Sequence, residues 1–574
     1  MPRIKTTNPR VRIVKLTGRD LSIEDVIAVA NARPGEIRVE ISNSARDRIR
    51  AARSIVDASI DKKLTVYGLN TGFGSQAEKV IPMEDLKLLQ RYLIVSHAVG
   101  VDQPLSPEVV RGAMLIRANT LSRGNSGIRE EVVQKLVDMI NKGVTPFVPK
   151  KGSLGASGDL APLSHIALVM SRDPRPERSK IEDAIAEKVK SGIQLTEEEK
   201  KVSLKESGEA YLWTDNGWVK MTGIEAFSRA GIDRIVLSAK EGLALNNGST
   251  VTAAVSAFAV YYGSIVERTA DVIAALTVES VKGFESAFAP EIQDSRAHSG
   301  QKEVARRIRA YLVGSGMIKH TEEIQNSHNV YTDFGKVQDS YSIRCIPQIH
   351  GPVVDALDHV AQMLKIEINS STDNPLIFPD SPYFNKTFSG GNFHGQYLGL
   401  YMDYLGEALA ILGNVSERRI FKLVTRNLSE GLPGFLINPG EGKAGLMNGA
   451  MILQYTAAHL VSENKVLSHP ASVDSITSSE DKEDFVSMGS ISANKAIDIL
   501  KNTENILAIE LWCDIIALRL RVKEGLRPST NAQKILNFFA SVIPEFQEDR
   551  VVYDEIRDLQ KLIHEGRVLS IVEG

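Results

Sequence analysis

The stretch GLALNNGSTVTAAVSAFAVYYGSIV, residues 242–266, decides the fold, because it holds no charged side chain. A run of that length can cross a bilayer. It also carries Asn246, Asn247, Ser249, Thr250, Thr252, Ser256 and Ser264, polar groups that lipid would leave without partners. A helix that is apolar on all sides and buried inside a large bundle accounts for both features. Further apolar runs cover 231–282, 350–369, 396–426, 444–468 and 488–522, with Gly, Asn and Pro gathered in the connections. Long helical patterns with few strand signals predict a mainly α protein built on a long-helix bundle.

The first part of the chain reads differently. VRIVKL is β-prone, and LSIEDVIAVANA has helical spacing with Ser22 as its N-cap. EISNSARDRIRAARSIVDASI reads as a second helix. LTVYGLNTGFGSQAEK (64–79) is a Gly/Asn/Thr loop. Helical patterns return in MEDLKLLQRYLIVSHAVG, VVRGAMLIRANTL and REEVVQKLVDMINKG before the Gly-rich turn KKGSLGASGDLAPLSH. Residues 172–222 form a charged segment, read as a solvated and partly helical excursion. It ends in YLWTDNGWVKM, where Asp215-Asn216-Gly217 between β-prone residues signals a hairpin. The expected division is therefore 1–222, carrying the loops and the charged insertion, and 223–574, the helical bundle.

Composition narrows the function. At 574 residues the chain exceeds one ordinary core, so two or more lobes or an elongated body are expected. The net charge of -3 gives no footprint for nucleic acid. Cys345 and Cys513 are the only cysteines and sit in apolar surroundings, which points to a reducing, cytoplasmic compartment rather than a disulfide framework. The histidines are scattered and no Cys-x-x-Cys occurs, so no metal site is expected. MPRIKTTNPRVRIVKL lacks the apolar core of a secretory signal, and no membrane association is expected.

GSLGASGDLAPLSH (152–165) invites a nucleophile-elbow reading, but Asp159 occupies the second glycine position and no clear strand precedes it. Taken alone, it is a loop with a helix N-cap at Ser157 or Asp159. A second reading uses the backbone. Glycine lets one amide nitrogen reach a carbonyl carbon two residues back. Loss of water from that ring and from Ser157 then gives a methylidene-imidazolone, an electrophile that needs no external cofactor. Gly72-Phe73-Gly74 with Ala77 mimics a dinucleotide fingerprint, but Pro82 interrupts the required helix and no βαβ unit surrounds it.

The whole of GSLGASGDLAPLSH resembles the prosthetic-group segment of the aromatic amino-acid ammonia-lyase and aminomutase family. YGLNTGFG (67–74) is similar to that family's mobile loop. KEGLALNNGS (240–249), QDSYSIRC (338–345), NSSTDNPLIF (369–378), SGGNFHGQ (389–396) and SENKVLSHPASVDS (462–475) match further blocks in the same order. The resemblance runs from about residue 60 to about 525. It implies an ammonia-lyase/fumarase-like helical fold and a homotetramer whose sites draw on more than one subunit. It also implies an aromatic amino acid as substrate and a prosthetic group made from Ala156, Ser157 and Gly158.

By the same resemblance, Tyr67 is the base, and its phenol must be lowered from about 10 to act at neutral pH. Arg344 clamps the substrate carboxylate as a two-pronged partner. Gln338 lies near that carboxylate, Tyr341 near the prosthetic group, and Asn247 donates to the group or the substrate. Phe393 packs beside the ring, and Glu463 faces the amine. The specificity pair in LQRYLIVSHAVG reads Ser96-His97, as in histidine enzymes, and His97 can hydrogen-bond a polar ring. His394, Met451 and SERR (416–419) lean the same way. The Gly395-Gln396 pair, Asn246, Tyr455 and the insertion at 172–222 do not. Elimination of ammonia from L-histidine is the favoured reading. A phenylalanine- or tyrosine-type lyase and a 2,3-aminomutase are the alternatives. A non-catalytic descendant is disfavoured by the presence of Ser157, Tyr67 and Arg344 together.

Overall fold

A computed structural model describes residues 11–438, 440 and 445–574. They fall into two compact units. The first comprises residues through Phe258 together with Ala361–Tyr401 and Ala471–Ala493. The second comprises Ala259–Val360, Met402–Pro470 and Asn494–Gly574. The first unit thus runs past the expected division at 222/223, to Phe258, and also takes back 361–401 and 471–493.

In the first unit, strands Arg12–Leu16 and Ile37–Ile41 pair in parallel around helix Ile23–Asn31. Ser22 caps that helix by accepting from the Asp25 amide. Helices Asn43–Asp61, Pro107–Ser122 and Glu130–Lys142 follow. Every residue of Pro107–Ser122 from Val110 onward is buried, which makes it a central support. The charged segment is ordered into helices Pro176–Lys190 and Glu197–Ser207, and Ile185 and Leu195 pack with Ile224 in a small core. The expected hairpin is present as Glu209–Thr214 against Gly217–Thr222, with Trp213 edge-on to Trp218 at 5.0 Å.

Helix Thr250–Ser280 contains most of the uncharged stretch, and 78% of its most apolar window is buried. This helix, Ile346–Glu367, Gln396–Val424 and Gly489–Lys523 each contribute residues to both units. The second unit buries a polar cluster among its helices. His350 Nδ1 lies 2.7 Å from Asp271, Arg307 lies 3.0 Å from Asp271, and Arg419 donates to Glu510.

Glu279 in this unit is fully buried. One carboxyl oxygen accepts from the Ser529 amide at 2.7 Å, and burial pushes the group up to about 7. The folded chain therefore holds a proton that an unfolded carboxyl releases near 4.5. This contribution is present below 4.5 and is lost as pH rises through 7, on the order of 3 kcal/mol in all. The Tm difference between wild type and Glu279→Gln is expected to move in favour of the variant as pH rises from 5 to 8. A difference that stays constant across that range would refute the assignment.

Candidate active site

One cavity of the first unit, about 540 Å³, gathers five of the expected residues: Tyr67, His97, Ser157, Asn247 and Phe393. Each arrives on a different segment. Tyr67 enters on the 64–80 loop, which Asn70 ties down by accepting from the Val66 amide and donating to the Leu64 carbonyl, both at 2.9 Å. Gly68 has φ +75°, and a Cβ there would meet Leu243 and Pro375 at 2.8 Å. The turn that presents Tyr67 therefore requires glycine.

Ser157 sits at a left-handed φ of 57°, between Gly155 and Gly158 at 81°. Its carbonyl accepts from the Gly248 amide at 3.1 Å and from Asn247 Nδ2 at 3.0 Å. The Asp159 amide returns a 2.7 Å bond to the Gly248 carbonyl. A Cβ on Gly158 would lie 2.3 Å from that carbonyl. Three consecutive residues are thus locked edge to edge against 247–248, with room only for glycine after Ser157. Asp159 does not cap its own helix Leu160–Met170. Its buried carboxylate accepts from the Thr252 amide and hydroxyl at 2.7 Å and from Ser153 at 3.0 Å. It thereby ties the turn to the start of Thr250–Ser280. Arg117, buried beneath, donates to the Asn247 carbonyl.

Glu483 was not anticipated. Its carboxylate accepts from Ser157 Oγ at 2.7 Å and from Ser478 Oγ at 3.2 Å, and Lys482 and Ser479 line the cavity beside it. The segment before it is tightly turned, with positive φ at Ser479, Glu480 and Asp481. In the sequence, SSEDKEDF reads as an ordinary solvated charge run. The only usable signal was its position just before the small-residue start of helix Gly489–Lys523.

Electrostatics separate the cavity's groups. Burial raises the Tyr67 phenol above 10, and Glu483 adds to this, while a hydrogen bond from the Gly74 amide opposes it. This is opposite to the lowering a base requires, so within this unit Tyr67 is held protonated at neutral pH. Burial lowers His97 below 6.5, against the opposing pull of the Leu93 carbonyl and Glu483. His97 is therefore neutral at pH 7. Ser96 Oγ lies 3.2 Å from the Leu93 carbonyl and 3.0 Å from His97 Nδ1. The neutral ring has one donor and one acceptor nitrogen, and the rotatable Ser96 hydroxyl can meet Nδ1 in either role.

The other expected residues stand elsewhere. Ser96 is exposed and acts on His97 rather than lining the cavity. His394 lines a neighbouring cavity with Glu367 and Tyr397, and its Nε2 lies 3.2 Å from the Phe485 carbonyl. In the second unit, Gln338 and Arg344 line one cavity of about 650 Å³. Arg344 donates to the Asp339 carbonyl and stacks 4.6 Å over the exposed Tyr341 ring. Glu463 is exposed on helix Met451–Leu467 and accepts from Asn502 at 2.8 Å.

A family profile described as aromatic amino acid lyase matches residues 21–541. A histidine ammonia-lyase of Natranaerobius thermophilus is 44% identical over 98% of this chain and 99% of its own length. Among solved structures, the histidine ammonia-lyase of Trypanosoma cruzi is similar at a TM-score of 0.81 with 38% identity, covering 98% of this chain and 95% of its own. A tyrosine aminomutase from Streptomyces globisporus is similar at 0.84 with 31% identity, covering 98% of each chain. With a locked Ala-Ser-Gly turn, a loop tyrosine and a facing carboxylate in one cavity, and with kinship over nearly its whole length, the chain belongs to the aromatic amino acid lyase family.

Proposed function

We propose that this enzyme eliminates ammonia from L-histidine to give urocanate. The observation that carries the reading is His97: a neutral imidazole with an acceptor nitrogen, lining the same cavity as Ser157 and Tyr67. An imidazole substrate, with one donor and one acceptor nitrogen of its own, can pair with it in either tautomer, whereas an unsubstituted phenyl ring would leave it unpaired. The histidine ammonia-lyases of matching length named above support the same reading.

The turn fits a methylidene-imidazolone. Gly158 has no Cβ to collide with Gly248, and the Ser157 carbonyl already holds two donors that draw electron density away from it. The group, formed from Ala156-Ser157-Gly158 with loss of two waters, supplies an electrophilic carbon that makes the amine a competent leaving group. The chain's own residues do the rest. Asn247 and Gly248 polarise the Ser157 carbonyl. Glu483 is the ionisable group nearest Ser157, and Tyr67 is the second candidate for moving the β-proton once a cation offsets its burial. Phe393 closes the cavity beside the ring. Arg344 clamps the carboxylate with Gln338 nearby, Tyr341 lies near the prosthetic group, and Glu463 faces the amine. These last four complete the site within a homotetramer whose sites draw on more than one copy. The cell compartment in this reading is the cytoplasm.

The test is an ultraviolet product assay with L-histidine, L-phenylalanine and L-tyrosine side by side. Urocanate from histidine is expected. His97→Leu is expected to lower kcat/KM for histidine about 10- to 100-fold and to favour phenylalanine in relative terms. Undiminished histidine turnover in that variant would overturn the role of His97. The aminomutase alternative rests on the likeness to the Streptomyces globisporus enzyme, and chromatography for β-amino acids in the same reactions decides it.

A further inference from the structure

The first unit has a second cavity, about 620 Å³, that shares no lining residue with the one around Ser157. Three arginines line it: Arg19, Arg48 and Arg123, with Asp380 the only acidic residue on its walls. Among the described residues none of the three pairs with a carboxylate. Arg48 spends its donors on main-chain carbonyls, those of Arg123 at 3.0 Å, Thr17 at 2.6 Å and Ser122 at 3.1 Å. Arg123 donates to the Asn369 carbonyl at 2.6 Å and to the Gly18 carbonyl at 3.3 Å, and its Nε is buried without a partner. Arg19 is exposed at the mouth.

Such an arrangement is unfavourable for folding alone. Arg48 and Arg123 are lowered first by burial, and the charge of Arg19 then adds to both. Carbonyl bonds fix where these guanidinium planes sit but neutralise no charge. Three like charges held together and paired with no carboxylate, against the single Asp380 on the walls, form a preorganised anion site. The opposite wall is apolar. Phe378 and Phe388 stand edge to face at 5.4 Å, and both are about two-fifths exposed. The volume suits a small organic ligand.

We infer that this cavity binds a phosphorylated small molecule, the phosphoryl group on Arg19, Arg48 and Arg123 and a planar portion against Phe378 and Phe388. The donors not spent on carbonyls, Arg48 Nη1 and Arg123 Nη2, together with the Arg19 guanidinium, match the several acceptor oxygens of a phosphoryl dianion, and the ring edges and faces of the phenylalanines match a planar base or aromatic group.

The test is calorimetric titration of the intact enzyme with adenosine 5′-monophosphate and with inorganic phosphate at constant ionic strength. The nucleotide is expected to bind saturably and at least tenfold more tightly than phosphate. Arg19→Glu, at an exposed side chain, and Phe388→Ala, at a half-exposed ring, are each expected to weaken it at least tenfold while the enzyme keeps its kcat. The inference is overturned if the nucleotide shows no saturable binding, if it binds no more tightly than phosphate, or if either variant binds it as wild type does. Binding that survives Arg19→Glu would place the nucleotide in some other cavity.

Discussion

Ser157→Ala is expected to lower kcat by ~10³-fold or more, a barrier increase of about 4 kcal/mol. In the proposed maturation the serine hydroxyl leaves when the exocyclic carbon of the prosthetic group forms, and alanine has no leaving group there. The substitution is otherwise mild. Position 157 already holds a left-handed φ of 57° with a side chain, and its carbonyl bonds to Gly248 and Asn247 do not involve the hydroxyl. The variant should therefore fold with a Tm close to wild type. Intact-mass measurement gives the second readout: the wild-type chain should run lighter than its sequence by two waters, and the variant should not. Wild-type turnover in Ser157→Ala would remove the electrophile from the proposed mechanism altogether.

Glu483→Gln should be nearly as costly, with kcat falling ~10²- to 10⁴-fold, the range expected for a positioned acid–base group. The amide keeps the shape and, before the Ser157 hydroxyl is lost, can still accept from it, so the loss would report charge and basicity rather than packing. Two further measurements locate the effect. If the variant still shows the mass deficit of two waters, Glu483 acts in turnover; if the deficit is missing, it acts in maturation of the turn. Glu483 also raises the Tyr67 phenol. Without it, any limb of the pH–rate profile that reports Tyr67 ionisation should move to lower pH. Turnover within about threefold of wild type would show that Glu483 has no acid–base role in the reaction.

The features legible in the sequence are those whose causes are local. Ser22 caps Ile23–Asn31 because an N-cap needs only its own next turn. Asp215-Asn216-Gly217 turns a hairpin for the same reason. The uncharged run at 242–266 forecast a buried helix because composition alone decides burial on all sides. Ile37–Ile41 was hidden because its partner, Arg12–Leu16, pairs in parallel across an intervening helix, and its residues merged with the helix that follows. Glu483 was hidden because only the fold brings it to Ser157, 326 residues away in sequence. The opposite case is His394. Its block in the sequence suggested a substrate-binding residue; its imidazole turns toward the Phe485 carbonyl and lines a cavity apart from the one around Ser157. The charged segment at 172–222 gained order through a handful of apolar residues, Ile185 and Leu195 among them, that its composition masked.

The clamp on the Ala-Ser-Gly turn comes from Ser153, 247–252 and Glu483, while the group proposed to discriminate the ring comes from the end of helix Leu86–His97. In the proposed function, bond breaking and ring choice are therefore carried by separately mutable pieces of chain. An ancestor could exchange residue 97 and test a new side chain of substrate without disturbing the reactive turn, whereas almost any change at 158 or 248 would forfeit the chemistry at once. That asymmetry gives evolution a simple route by which one scaffold comes to serve histidine in one lineage and tyrosine in another.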